Sequence, residues 1–375
     1  MVSIWEKETF FAPQDVVIAG SGFVGLWSAF YLKKKNPDLR ITILERGWIP
    51  TGASTRNAGF ACFGSLSELI HDGQQMGTDH MLELVELRYK GLERIQKYFS
   101  KEIDFDLCGG YELYDQDATS KGQLQENIAY LNSLLKPITG SKKTYRLADS
   151  LIDLFGFGNT KHLVRNTLEG YLHSGKLLKA LLQVVQGLGV QVFCQTDIRN
   201  FEKMGDSIEI ETNQPVRFQT KRLLLCTNAF TKALFPEIDI VPARGQVILT
   251  SPIKDLPWQG TFHSDEGFYY FRNLGNKVLL GGARNKAFDA EATTNMETSD
   301  FIQQELENYL DTVVLPHYKG HYSIEHRWAG IMAMGSEKMP IIKELQPQVY
   351  CAVRMSGMGV ALAPIVGQKV AKMIG

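Results

Sequence analysis

Residues 15–47 read DVVIAGSGFVGLWSAFYLKKKNPDLRITILERG, and the order of residue types in that stretch decides the fold. Val16, Val17 and Ile18 make a short, wholly apolar run of the kind that is buried on both faces of a parallel sheet. Gly20, Gly22 and Gly25 follow with Gly-x-Gly-x-x-Gly spacing. The first glycine permits a tight turn, the second lets a pyrophosphate approach the backbone, and the third lets a helix pack close to the strand. Phe23 and Val24 open that helix, which runs through Lys35 until Asn36 and Pro37 stop it. Residues 41–44 form a second strand, and Glu45 ends it about 20 residues past the last glycine, where a carboxylate binds a ribose hydroxyl pair. The stretch predicts a strand, turn, helix, strand unit that holds a dinucleotide. The motif alone admits NAD or FAD, whereas Glu45, in place of a basic residue, disfavours the 2′-phosphate of NADP.

Beyond Glu45 the chain continues RGWIPTGASTRNAGFACFGS, a loop of small residues with hydroxyls, an arginine and an asparagine. At this point the sequence resembles the FAD-dependent amine oxidoreductases, the family of D-amino acid oxidase, glycine oxidase and sarcosine oxidase. The resemblance implies that Arg46, Gly52, Ala53, Ser54, Arg56, Asn57, Ala58 and Gly59 lie along the pyrophosphate and isoalloxazine of FAD. Composition alone would equally allow a flexible surface loop.

Further segments carry the resemblance in the family's order. EGYLHSGKLLKALLQVVQGLGVQVFCQTDIRNFE, at 169–202, is similar to the second cofactor segment, which implies that Ile198 offers its backbone to the adenine. An apolar strand then runs into Thr227, Asn228 and Ala229, a turn that looks most like the gamma-glutamylputrescine oxidase branch. Arg327 to Gly330 matches the Trp-x-Gly stretch, and MSGMGVALAPIVGQKVAKMI matches the closing turn and helix. Gly330, Gly357, Met358, Gly359 and Val360 are thereby implied at the flavin, the last four at a helix N-terminus whose free N–H groups face it. An NAD dehydrogenase explains the first motif but none of these later ones.

Because the cofactor segments lie at both ends and in the middle, the expected fold is α/β with a discontinuous doubly wound (Rossmann-like) FAD domain. That domain is assigned residues 1–70, 150–235 and 325–375. An inserted α+β substrate domain with a mixed sheet is assigned 71–149 and 236–324, on helical patterns such as MLELVELRYKGLERIQKYF and strands such as GFYYFRN.

With 375 residues, 44% hydrophobic and 22% charged, the chain reads as globular, and its length fits roughly two domains. Forty basic against 41 acidic residues give a formal charge of −1, so no global field favours nucleic acid as a partner. Five scattered cysteines without Cys-x-x-Cys spacing argue against a disulfide framework and a zinc site, and for a cytoplasmic protein with reduced thiols. The apolar run from Val16 to Leu32 follows acidic residues and contains three glycines, and the C-terminal run is divided by Pro364, Lys369 and Lys372. Neither is expected to span a membrane.

The resemblance implies hydride transfer from the carbon of a substrate C–N bond to FAD, giving an imine that water hydrolyses, with oxygen or another acceptor reoxidising the flavin. His263, Tyr269, Tyr270, Arg272 and Arg327 lie in segments that approach the flavin in relatives. Of these, His263, Tyr270 and Arg327 are the catalytic candidates. Each has a plainer reading: cross-strand packing for the tyrosines, an ordinary loop histidine, and an arginine that holds the interdomain seam. Met332 and Gly357 stand where glycine oxidase carries arginines for the substrate carboxylate, which disfavours a simple alpha-amino acid. The cysteine that anchors flavin in sarcosine oxidases is absent from AGIMAMGSE, so noncovalent FAD is expected. Their oxygen-assisting lysine falls at Leu279, with Lys277 two residues away. The alternatives are an FAD enzyme that oxidises a hydroxy acid, and a flavin-binding protein with little turnover.

Overall fold

The apolar run at 16–18 lies at the centre of a sheet, fully buried. In the computed structural model, which describes residues 2–115 and 120–375, this sheet orders its strands β17 (Ile341–Gln346), β18 (Val349–Val353), β11 (Phe218–Leu225), β1 (Gln14–Ala19), β2 (Ile41–Leu44) and β8 (Gln191–Phe193). From β18 to β8 every pairing is parallel, while β17 and a hairpin of β9 (Ile198–Met204) and β10 (Ser207–Thr212) join antiparallel.

A short helix, α1 (Ile4–Glu8), precedes β1. One face of the sheet is covered by α2 (Phe23–Lys35), α7 (Ser174–Gly187) and α9 (Gly359–Ile374). Beside them lie α3 (Leu66–Met76), α4 (Thr78–Phe99) and α5 (Lys121–Thr139), whose apolar residues enter the same core. The helix α2 is apolar around its circumference because α9 crosses it closely: a Cβ on Gly367 would lie 2.6 Å from the backbone of Trp27. At the second crossing, a Cβ on Gly91 of α4 would lie 1.7 Å from the Ala361 carbonyl oxygen of α9.

The second sheet runs β16 (Ile324–Met334), β12 (Val241–Thr250), β15 (Lys277–Gly282), β14 (Tyr269–Leu274), β13 (Thr261–Ser264), β4 (Gly110–Tyr114), β6 (His162–Asn166) and β5 (Tyr145–Leu147). Only the β13–β4 pairing is parallel, so the expected mixed sheet is present. Its back face packs Phe262, Phe271, Ile248 and Leu280 against α6 (Ile152–Phe155) and α8 (Asp300–Tyr309). A two-stranded piece, β3 (Phe60–Ala61) with β7 (Gly170–Tyr171), lies between the sheets.

The architecture is the expected α/β fold with two sheets, but segments group differently from the sequence assignment. The α4 stripe of Leu84, Val85, Leu92 and Ile95 belongs to the core of the first sheet, because Gly91 lets α9 seat against it. Conversely, β6 and β16 complete the second sheet, although their residues, Ile324 apart, fall in segments assigned to the first. An amphipathic stripe states that a helix has a partner but not which one. The five cysteines are unpaired, and among the described residues no helix is long and apolar enough to cross a membrane.

Candidate active site

A cleft of about 670 Å³ opens at the C-terminal edge of β1 and extends to the front face of the second sheet. That size suits a cofactor or substrate pocket, for which about 300–1,000 Å³ is usual. Gly20 turns the chain with φ +98°, where a Cβ would approach the Cys226 carbonyl oxygen to 3.0 Å. A Cβ on Gly25 would lie 2.0 Å from the Gly20 carbonyl oxygen, so this glycine is a packing residue and does not line the cleft. Gly22 does line it, and a Cβ there would meet only the Ser54 hydroxyl, at 2.9 Å. Glu45 is held at the end of β2 by the Ser21 N–H (3.0 Å), the Ser21 hydroxyl (2.7 Å) and the Gly47 N–H (2.9 Å).

The polar members of the small-residue loop fasten the loop itself. The Phe23 N–H donates to Ser54 Oγ at 2.9 Å. Arg56 donates to the carbonyls of Thr51 (2.9 Å) and Ala329 (3.0 Å), and Trp328 Nε1 donates back to the Arg56 carbonyl. Asn57 accepts from the Gly59 N–H (2.8 Å) and the Ser174 hydroxyl (2.6 Å). Gly330 is needed where a Cβ would come within 2.9 Å of Arg56 Cβ. Arg272 is 3% exposed and donates to the carbonyls of Gly59 and Leu172, which makes it a positioning residue for this loop.

Two helix N-termini, those of α2 and α9, meet the cleft, and neither is capped by its own N-cap side chain. Before α9 the chain turns through Arg354, Ser356 and Gly357, all with positive φ. Gly357, Met358, Gly359 and Val360 line the cleft there, as do Phe23, Val24, Arg46, Gly52, Ala53, Ala58, Ile198, Thr227 and Asn228 on other walls. Arg46 stacks 3.6 Å over the Phe230 ring. Asn228 Oδ1 and Ser356 Oγ are buried without a hydrogen-bond partner among the described residues. Glycine-built space, two uncapped helix ends and orphaned acceptors fit a long anionic ligand with polar edges. Ala229 is the exception, packed in the core beneath its turn instead of facing the cleft.

Strand alternation sorts the substrate-side candidates. Phe262 and Phe271 point to the back core, which turns His263 and Tyr270 to the cleft beside Phe60. Tyr269 shares the back face and stacks on Tyr309 of α8 at 4.1 Å. On β16, Trp328 pairs with the front-facing Val247, and Arg327 pairs with the back-facing Ile248. The catalytic candidate Arg327 is therefore corrected: it donates to Gln303 at 2.8 Å, pairs with Glu307 at 2.9 Å, and does not line the cleft. Leu279 packs with Ala58, Val247 and Leu249, and Lys277 pairs with Glu325 at the strand's far end.

Burial pushes the Tyr270 hydroxyl up to about 12, so it remains a donor at neutral pH. Burial holds His263 down at about 4 against the opposing pull of Glu68, which leaves the imidazole neutral. Its Nε2 is buried without a partner among the described residues.

Sequence reasoning missed a cluster at this end of the cleft. Glu68 pairs with Arg88 at 3.0 Å, and Lys338 reaches Asp72 at 2.5 Å and Glu68 at 3.8 Å. Burial alone would raise the Glu68 carboxyl, but Arg88 and Lys338 outweigh it and hold it at about 2. The only local signal was the Ser65-x-x-Glu68 capping box, because the partners come from three distant segments.

The profile of the family described as "FAD dependent oxidoreductase" matches residues 15–373. Over 96% of the chain, it is 24% identical to a probable oxidoreductase OrdL of Haemophilus influenzae, of which 82% is covered. It is 22% identical to gamma-glutamylputrescine oxidoreductase of Escherichia coli, with 96% and 83% covered, so the two identities do not set that branch apart. Among solved structures, L-proline dehydrogenase from P. horikoshii superimposes with TM-score 0.77 at 20% identity, covering 96% of this chain and 93% of that one. Glycine oxidase from Geobacillus kaustophilus gives 0.75 at 18%, covering 96% and 94%.

Proposed function

The chain belongs to the FAD-dependent oxidoreductase family, and from that premise we propose that it oxidises the C–N bond of an amine held between Tyr270, His263 and the closing turn. Bound FAD supplies the acceptor for the substrate's hydride, leaving an imine that water hydrolyses. Gly20, Gly22, Phe23, Ser54 and the α2 N-terminus would hold the pyrophosphate, Glu45 the ribose, Ile198 the adenine, and Gly357 to Val360 the ring's polar edge.

The single observation that carries the amine reading is His263. Its imidazole is neutral and its Nε2 has no partner among the described residues, beside the apolar Phe60 and near the cluster built on Glu68. An amine must lose its proton before its C–H bond can give up a hydride. A neutral imidazole accepts a hydrogen bond from the N–H of the free amine, and apolar walls disfavour the charged ammonium, so the substrate reacts as the neutral amine. Tyr270 donates a hydrogen bond and orients the substrate. Two arginines at the positions of Met332 and Gly357 would grip an alpha-carboxylate from β16 and the closing turn; this chain has neither, which supports a substrate held differently from that of glycine oxidase. With no cysteine in 329–337, FAD is held without a covalent bond.

Anaerobic exposure of the purified yellow protein to panels of amines, amino acids and hydroxy acids, followed by air, tests the proposal. Bleaching by amines is expected. Bleaching by 2-hydroxy acids alone would move the reaction to a C–O bond, and no bleaching at all would leave a flavin binder. Recovery of colour on admitting air identifies oxygen as the acceptor; a persistently bleached flavin identifies another one.

A further inference from the structure

The front face of the second sheet is reduced to backbone where it approaches the closing turn. Gly245 of β12 pairs with Gly330 of β16, and Gly281 of β15 pairs with the cleft-facing Tyr270 of β14. A Cβ on Gly281 would lie 2.5 Å from Tyr270 Cε2, so the tyrosine ring rests on bare backbone. A Cβ on Gly245 would lie 3.7 Å from Tyr270 Oη and 3.2 Å from Met332 Cε. The tyrosine hydroxyl and the methionine methyl therefore stand over the same glycine, one reaching it from β14 and the other from β16. Met332 also meets the turn before α9, where a Cβ on Gly357 would lie 3.4 Å from its Sδ. Its side chain spans from the sheet to the closing turn, in space that two glycines leave open.

The same wall carries further thioethers. Ile331 and Ala333 are buried in the core shared with β11 and β18, which turns Met332 and Met334 to the cleft. Met355 and Met358 of the closing turn line it as well. The polar groups at this end come from other elements: His263 from β13, Glu68 from α3 and Arg284 from the turn after β15. Four unbranched, polarisable side chains on two adjoining segments make an apolar surface with many accessible rotamers. Such a surface repacks around hydrocarbon of different shapes, whereas a wall of β-branched residues would be stiff and would fix one shape.

We infer that Met332, backed by the other cleft-lining methionines, seats an apolar substituent of the substrate beside Tyr270. The amine oxidised here then carries a hydrocarbon group whose length and branching the site tolerates, and Met332 is a specificity-determining residue. This rests on the amine-oxidation reading above and deepens it.

The test uses the FAD-loaded protein with Met332→Gln, which keeps the length of the side chain but makes it polar, and Met332→Leu, which keeps it apolar but branches it. The probes are tert-alkyl amines, whose amine-bearing carbon has no hydrogen and so cannot give up a hydride. Tert-butylamine, 1,1-dimethylpropylamine, 1,1-dimethylbutylamine and the branched 2,4,4-trimethylpentan-2-amine are each titrated against the flavin absorbance at one pH. Through the three unbranched chains the wild type is expected to bind up to about fourfold more tightly per added methylene, and to bind the branched amine no more weakly than the longest of them. Met332→Gln should reduce the gain to less than about twofold per methylene. Met332→Leu should keep the gain but weaken the branched amine about tenfold, because the stiffer side chain cannot move aside. Should Met332→Gln lose its flavin, Met332→Leu decides through the branched amine. A flavin that responds to none of these amines, no gain with chain length in the wild type, an unchanged gain in Met332→Gln, or unweakened binding of the branched amine in Met332→Leu would overturn the seat. A gain that Met332→Gln removes, in a protein whose flavin no oxidisable amine reduces anaerobically, would support the seat and sink the amine-oxidation reading instead.

Discussion

Placing a single methyl group at two glycines of the same motif should separate folding from cofactor retention. In Gly25→Ala the new carbon would lie 2.0 Å from the Gly20 carbonyl oxygen and 3.4 Å from Ile18 Cγ2. Relief requires the turn to open by more than an ångström, yet the turn is pinned on both sides. The Gly20 N–H donates to the Leu44 carbonyl at 2.8 Å, and the Cys226 N–H donates to the Ala19 carbonyl at 2.9 Å. Overpacking of this kind costs about 1–3 kcal/mol, and a backbone obstacle points to the upper end, about 3 kcal/mol. In Gly22→Ala the obstacle is the Ser54 hydroxyl at 2.9 Å, which a change of rotamer removes. The cost there is the lost hydrogen bond from the Phe23 N–H, about 1 kcal/mol.

Thermal unfolding of the flavin-free proteins is the assay, since bound cofactor at 100 times its Kd would itself add about 2.7 kcal/mol. At about 2.1 cal/mol/K per residue, 375 residues unfold with about 0.8 kcal/mol/K, so Gly25→Ala should lower Tm by about 4 °C and Gly22→Ala by about 1 °C. Flavin content should rank the other way in severity: Gly22→Ala puts a methyl group on the cleft wall and should purify colourless, while whatever Gly25→Ala protein folds still offers the same wall. A Gly22→Ala protein with full flavin, or one less stable than Gly25→Ala, would refute the division of roles.

Three further outcomes follow from the site. Burial holds His263 near 4 in the folded chain against 6.5 in the unfolded one, so only the unfolded chain takes up this proton between those values. Stability should therefore fall by up to about 3 kcal/mol as pH drops from 6.5 to 4, and urea unfolding at pH 7 and 5 should show that slope lessened in His263→Gln. Arg327→Ala should leave kcat/KM for any substrate found within about twofold and cost less than about 1 kcal/mol, because its ion pair with Glu307 is largely exposed; a tenfold loss of kcat would return it to the site. Acid precipitation should leave the yellow colour in solution, and a coloured pellet would disprove noncovalent attachment.

The unit at 15–47 was legible because its signals are local: the apolar run, the glycine spacing and Glu45 each act within one strand–turn–helix passage. The small-residue loop and the closing turn were legible through resemblance, and most of their residues line the cleft. Arg327 was misjudged because its face depends on strand register. It neighbours Trp328 in sequence, yet the period of two sends Trp328 toward the loop and Arg327 toward α8. The segment holding α4 was grouped with the second sheet because nothing in a stripe of leucines reveals that Gly91 meets the Ala361 carbonyl. The cluster of Glu68, Arg88 and Lys338 was invisible for the same reason, since Glu68 and Arg88 stand 20 positions apart and Lys338 some 250 beyond them, and the three meet only when α3, α4 and the turn after β16 are packed.

The hydrogen bonds also redistribute what the motif residues do. Ser54, Arg56 and Asn57 spend their polar atoms on the loop's own backbone, on Ala329, and on Phe23 and Ser174. The surface offered to a cofactor is therefore mostly backbone and glycine, shape held in place by side chains that need not touch the ligand. The side chains that line the far end of the cleft come from different elements: β13 supplies His263, β14 Tyr270, and the turn after β15 Arg284. These residues front a sheet whose back core contains Phe262, Phe271 and Trp258. Exchanging a front-facing side chain should alter which amine fits without disturbing either the fold or the cofactor wall. Chains at 18–24% identity can then share one architecture while acting on different molecules.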